Sequence, residues 1–284
     1  MPETNRADAA RSRLSASAAW DATSAFMKRH SGMVFALALA FSALPPIIAF
    51  AFLGETLVPP AGAAMTPEQM TRLLPANLLF LLIGLVGSLS IFTLVLRPGT
   101  SVGEAIGRAL RRLPAAIGQL ILLALLGSLL ALPIVLFAGL GVLGVESGGP
   151  APNPALLLLP LLLLPVIVYL LIRLFLGQVA VADGAGPVDG LRRSWELTAG
   201  NAGRLFGFLL VVGLLFLVVY FALTFVVGAL AQIVGGAIGG EGTGTFLALV
   251  VGAIISALLS AVLSVLYAQI YRQLSGPDYA QTFA

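Results

Sequence analysis

Few residues of this chain are equipped for covalent chemistry. There is one histidine, His30, and no cysteine. Thiolate nucleophiles, disulfides and multi-histidine metal sites are therefore excluded. His30 follows Lys28 and Arg29 at the start of an apolar run and reads as an interfacial histidine. The 12 acidic residues are dispersed, with no two placed as a catalytic carboxylate pair. Ser256 and similar hydroxyls have no histidine or lysine neighbour in sequence to activate them. The glycine-rich run 235–244 lacks the Lys-Ser/Thr ending of a phosphate loop and reads as a flexible turn. No catalytic residue, no cofactor and no metal site is expected.

What remains is arginine. Arg108, Arg111, Arg112, Arg192, Arg193 and Arg204 fall in two short basic segments beside apolar runs. They are the candidates for contact with anionic lipid headgroups, where a basic side chain contributes about 1 kcal/mol. The plainer reading is that they set topology and solubilise loops. Trp20 and Trp195 are candidate anchors at a membrane–water interface. A nucleic-acid partner is disfavoured, because the net charge is only +3 and the basic groups sit against apolar segments.

The elements that must position these residues follow from composition. Hydrophobic residues make up 59% of the 284 and charged residues 10%, too few for a water-soluble surface. Six charge-free windows are each long enough to cross a bilayer. They give spans at about 31–54, 74–97, 115–142, 155–178, 205–231 and 245–271. The expected fold is an all-α integral membrane protein with six transmembrane helices over 31–272, an N-terminal segment 1–30 and a tail 273–284. Continuous runs such as Leu156–Leu164 argue against the alternating strands of a β-barrel. The first run begins only at residue 31 and contains Pro45–Pro46, so it reads as a retained, kinked helix rather than a signal peptide. Pro133, Pro160 and Pro165 should kink the third and fourth spans. All of the 15 Lys and Arg except Arg72 fall on one side of this topology. That side is expected to be the cytoplasm, with both termini there. No charged residue lies near the centre of a span, which argues against a proton-coupled transporter.

The two basic segments resemble each other. A shift of 85 residues pairs Glu104 with Asp189, Arg108 with Arg193, Leu110 with Trp195 and Gly118 with Gly203. Both read as short amphipathic helices leading into a span. Ser101-x-x-Glu104 has the form of a capping box, and Glu104–Arg108 is spaced as an ion pair. In the second segment Val188, Leu191 and Trp195 share a face, with Asp189–Arg193 and Arg192–Glu196 spaced as ion pairs. A third copy precedes the first span, where Trp20–Asp21 matches Trp195–Glu196. The expectation is a parallel internal repeat of three helical hairpins, each with an interfacial helix. In the sixth span Gly252, Ser256, Ser260, Ser264 and Ala268 recur every four residues, a close-packing stripe. Gly203 with Gly207, and Gly84 with Ser88, make shorter versions. They are expected to serve packing within the bundle, the alternative being a homo-oligomer contact.

The segment GPVDGLRRSWELTAGNAGRLFGFLLVV (186–212) resembles the membrane domain attached to some glycerophosphoryl diester phosphodiesterases, and stand-alone six-helix bacterial inner-membrane proteins. The resemblance is carried by Asp189, Arg193, Ser194, Trp195, Thr198, Gly200, Asn201 and Arg204. In two-domain relatives the phosphodiesterase is a separate TIM barrel after the membrane part. Here the chain ends at Ala284, soon after the sixth span, so the resemblance does not imply that activity. The expected role is non-catalytic: scaffolding, lipid-contacting or membrane homeostasis, with anionic lipids as partners. The alternatives are a transporter or auxiliary channel for an apolar or lipid-like substrate, and a membrane anchor for a separately encoded enzyme. A polar cavity between the repeats would favour the transporter; co-purification of an enzyme would favour the anchor.

Overall fold

The computed structural model describes residues 14–53, 66–146, 158–239 and 241–276. Every element in them is helical. In chain order they are α1 (Ala16–Ala38), a π-helical turn (Leu39–Ala43), α2 (Leu44–Leu53), α3 (Pro67–Leu96), α4 (Val102–Glu146), α5 (Leu158–Leu174), α6 (Gly177–Asp183), α7 (Pro187–Thr198), α8 (Ala202–Gly239) and α9 (Glu241–Ser275). Six of the resulting rods are long and apolar enough to cross a membrane. This is the all-α, six-span architecture that the charge-free windows require.

The first rod shows how the sequence sets local geometry. Pro45 and Pro46 have no N–H, so the carbonyls of Phe41 and Ser42 lose their α-helical donors. The chain answers one turn earlier by widening to a π-turn, in which the Leu44 N–H reaches back five residues to the Leu39 carbonyl. The helix therefore changes register ahead of the prolines and continues as α2. Elsewhere the helices run through their prolines, at Pro114 and Pro133 in α4 and at Pro165 in α5. Pro160 lies in the first turn of α5, where its missing N–H costs little.

Two expectations about element boundaries are corrected. The segment 101–118 is not a separate short helix but the first turns of α4, whose 45 residues extend about 68 Å, twice the hydrocarbon thickness. The third proposed copy likewise runs straight into the first span as one helix, α1. Only the second segment stands alone, as α7, because Gly200 adopts a positive φ of 79° that ends the helix before α8 begins. The described residues of the glycine-rich run are helical rather than a turn. α8 continues to Gly239, and a methyl on Gly235 would collide with the Gly244 backbone, so the run lets two helix ends touch.

Helix α9 is the hub: it packs on α8, α1 and α3, while α3 and α4 form their own hairpin. The buried core gathers along one end of the bundle, around Leu89, Val95, Leu176, Leu266, Ile270 and Tyr271, all without exposed surface. Helix α8 is the opposite case. Leu210, Val211, Leu214, Leu215, Phe221 and Phe225 lie exposed around much of its circumference. A helix apolar on all sides and unburied by protein requires lipid.

The packing residues are displaced from those the spacing suggested. In α9 the buried small residues are Ala257, Ala261 and Ala268, joined by Ser264, whereas Ser256 and Ser260 are exposed and Gly252 half-buried. The stripe is turned by one residue over its first half, since a residue every four along a 3.6-residue helix drifts around the rod. Gly203 and Gly207 are exposed, with no atom near the position of an added Cβ. In α3 the close approach is at Gly87, whose added Cβ would lie 2.6 Å from the Phe41 Cβ, whereas Gly84 faces open space.

Gly87→Ile should accordingly overpack the contact with the π-turn and cost about 1–3 kcal/mol. Gly84→Ile, one turn away, should cost much less. Thermal unfolding of the two variants in the same detergent tests this; equal melting temperatures would mean that the Gly87 contact does not hold the first rod.

Candidate functional site

The polar side chains converge at the end of the bundle where α3, α5, α6 and α9 all finish. A helix end exposes carbonyls that lack intrahelical donors, and here several helix ends are buried together. The short helix α6 stops at Gly184, whose φ of +133° only glycine adopts readily. The Gly184 and Asp183 carbonyls then point to neighbouring elements. Arg112 of α4 donates Nη1–H to the Gly184 carbonyl at 2.8 Å, and Arg97, just past α3, donates Nη2–H to the Asp183 carbonyl at 3.4 Å. Arg272 of α9 donates Nη1–H to the Val95 carbonyl in the last turn of α3 at 3.4 Å. Cationic donors at helix C-termini satisfy the carbonyls and complement the helix dipole.

The Asp183 side chain is the acidic centre of this end. Its Oδ2 accepts the Tyr271 hydroxyl at 2.9 Å and faces Arg193 Nη2 at 3.9 Å. The Arg193 guanidinium also lies over the Tyr271 ring, 5.5 Å from its centroid. Asp183 thus joins α6, α7 and α9.

A second cluster closes α5. Arg173 is buried, its guanidinium 4.1 Å from the Trp195 ring centroid and its Nη1 donating to Thr198 Oγ1 at 3.3 Å. Its own carbonyl accepts the Ser194 hydroxyl at 2.7 Å. Tyr169 meets Trp195 edge-on at 5.9 Å. Removing a guanidinium from water is unfavourable, and the indole face offsets about 2 kcal/mol of that cost. The buried side of α7 is therefore Gly190, Ser194 and Thr198, and the Val188–Trp195 face looks outward, with Trp195 39% exposed. Trp20 is similarly placed, at 37%.

Between these clusters lies a fully buried amide. Gln119 of α4 inserts between Gly177 and Gly190, where a methyl on either would meet its side chain. Gly118 makes the adjacent approach to Pro187. Neither polar atom of the Gln119 side chain has a hydrogen-bond partner among the described residues.

The arginines singled out from sequence divide by what they touch. Arg112 reaches the Gly184 carbonyl and Arg193 reaches Asp183 from an exposed position, while Arg192 pairs with Glu196 at 3.0 Å on the surface. Arg111 and Arg204 are exposed and Arg108 is half-buried. Two expected ion pairs are replaced. Arg193 turns to Asp183 rather than Asp189 because Asp183 is nearly buried and rewards a cation more than a solvated carboxylate does. Glu104 turns back to the Ser101 N–H at 2.9 Å, while its own N–H donates to Ser101 Oγ at 3.3 Å, which completes the capping box. The residues that sequence reasoning passed over are Arg97, Arg173, Asp183 and Tyr271. Each lies at the end of a span, and a signal was present for Arg97 and Arg173, each the cation that closes a charge-free apolar run.

Residues 17–274 match the family described as a domain of unknown function (DUF7847). The chain belongs to this family. Neither a curated protein nor a solved structure matches it. The matched range covers every described helix except the outermost residues of α1 and α9, so the whole site lies within the family's domain.

Two substitutions probe this end of the bundle. Tyr271→Phe removes a hydrogen bond to a nearly buried carboxylate and should destabilise by about 1.5–3 kcal/mol. Gln119→Met removes two unpartnered polar atoms at similar volume and should stabilise by about 1–3 kcal/mol. Unfolding in mild detergent reads both; a destabilised Gln119→Met variant would reveal a partner for that amide.

Proposed function

We propose that this chain is a non-catalytic multi-pass protein of a bacterial inner membrane, with both termini in the cytoplasm and a lipid-contacting, scaffolding role in membrane homeostasis. One observation carries the reading. At the arginine-rich end Arg97, Arg112 and Arg272 sit on helix-end carbonyls and Arg193 sits on Asp183. Those charges brace the bundle. The outward apolar circumference of α8 supports lipid as the partner.

The distribution of Lys and Arg supports the orientation, since only Arg72 falls at the opposite end. The outward faces of Trp20 and Trp195 support an interfacial position for the segments that carry them. Arg108, Arg111 and Arg204 are left to meet headgroups. Burial supports a threefold parallel repeat. The shift of 85 residues that relates the basic segments lays buried Ala105 and Ala109 onto buried Gly190 and Ser194. A shift of 175 lays buried Ala19 and Thr23 onto buried Ser194 and Thr198. The two threonine hydroxyls donate to the corresponding carbonyls, Ala19 and Ser194, both at 2.8 Å. The resemblance of 186–212 to the membrane part of certain phosphodiesterases fits a membrane unit distinct from any catalytic domain.

Because the chain has no cysteine, single introduced thiols report orientation cleanly. A membrane-impermeant maleimide should label Glu68→Cys in intact spheroplasts and Glu196→Cys only after permeabilisation; the reverse pattern would sink the topology. Polymer-extracted particles should also carry more anionic lipid than the bulk membrane, and an unenriched lipid shell would remove the lipid-contacting role.

A further inference from the structure

A cleft of about 730 Å³ opens at the arginine-rich end between α1, the end of α3 and the end of α9. This falls within the usual size of ligand sites, about 300–1,000 Å³. A smaller cavity of about 430 Å³ shares its walls at Phe26, Arg29, His30, Pro98 and Arg272. The space exists because α1 presents alanines, Ala18, Ala22 and Ala25, where larger side chains would fill it.

The lining is chemically one-sided. Arg29 and Arg272 bring two permanent positive charges, and among the described residues no carboxylate lines either cavity. Arg272 is held in place by the Val95 carbonyl. Arg29 has no hydrogen-bond or ion-pair partner among the described residues. Gln269 is 8% exposed, lines the same cleft and also has no hydrogen-bond partner among the described residues. Its amide is not sealed from solvent, so it opens onto the cleft, where a ligand can use it. His30 stacks on Phe26 at 4.6 Å and forms the wall that both cavities share. Past it the smaller cavity reaches Met33 and Leu94, an apolar continuation beside the span.

We infer that this cleft binds a phosphate ester, with Arg29 and Arg272 on the phosphate oxygens and the Gln269 amide as a further donor. The apolar continuation at Met33 and Leu94 fits a lipid-borne phosphate, its acyl chain leaving along α1. The inference rests on the lipid-contacting reading above and gives it a location. None of the arginines singled out from sequence takes part; the cleft is built by cations from opposite ends of the chain.

The test uses the full chain in detergent, with native mass spectrometry of bound phosphatidylglycerol and, separately, of soluble glycerol phosphate. Wild type should bind the lipid, and Arg29→Gln should weaken it about tenfold, the loss of one charged hydrogen bond. Arg29→Gln breaks no hydrogen bond or ion pair among the described residues, so it should fold; Arg272→Lys, which keeps charge but not the planar fork, should also weaken binding. Lys28→Gln removes an equal charge from the adjacent exposed position and should leave binding unchanged. Lipid bound far more tightly than the soluble ester assigns the cleft to a headgroup; equal affinity for both assigns it to a free phosphate ester. Equal loss in Lys28→Gln and Arg29→Gln, or undiminished binding in Arg29→Gln, overturns the site. In that case anionic enrichment in extracted particles still stands, so loss of the cleft and loss of the lipid-contacting role are separate results.

Discussion

The structure depends on how buried helix ends are closed. Three helices, α3, α5 and α6, terminate against the bundle at one end, where their last carbonyls are wholly or partly shielded from water. Side chains do it instead: Arg272 for α3, Ser194 for α5, and Arg97 and Arg112 for α6. An unsatisfied buried polar group costs about 1–3 kcal/mol, and several such ends would exceed what marginal packing supplies. The donors come from α4, α7, α9 and the turn after α3, so satisfying the carbonyls also fixes how those elements meet. The packed core, the placement of Asp183 and the cleft beside Arg272 all follow from this closure.

Guanidinium suits the task for a physical reason. Its donors point outward from a plane, it keeps its charge under all conditions of interest, and it is less strongly hydrated than an ammonium. The same property explains Arg173, which is buried against the Trp195 ring without a carboxylate. Of the 15 Lys and Arg, Lys28 alone is lysine, and it is exposed.

The six spans were legible because the property that defines them is local. A charge-free run of sufficient length is a statement about one stretch of chain and its solvent, and Ser31–Gly54 or Gly242–Tyr271 needs no knowledge of neighbours. The capping box at Ser101 and Glu104 was readable for the same reason. What the sequence hid was non-local. That Arg193 pairs with Asp183 rather than Asp189 depends on which carboxylate is buried, and burial is set by α6, α7 and α9 together. The packing face of α9 was misplaced by one residue because alanines flank the serines, and either line is small enough to pack. The separation of α7 from α8, against the continuity of 101–118 with α4, turned on the backbone at Gly200. The cleft was least visible of all, since Arg29 and Arg272 are separated by nearly the whole chain.

One link carries a consequence for biogenesis. The Leu14 N–H donates to Asn201 Oδ1 at 3.2 Å across a separation of 187 residues, and the first helix packs chiefly on the last. A nascent chain inserts its spans in order, so the opening helix must wait in the bilayer while five more are synthesised. Until the final helix arrives, the α1 groove that α9 will cover faces lipid or the insertion machinery. The assembled bundle is thus latched late, by contacts between the first and sixth spans, and a ribosome stalled before the sixth span would leave the first one held only by the second, through contacts such as Phe41 on Gly87.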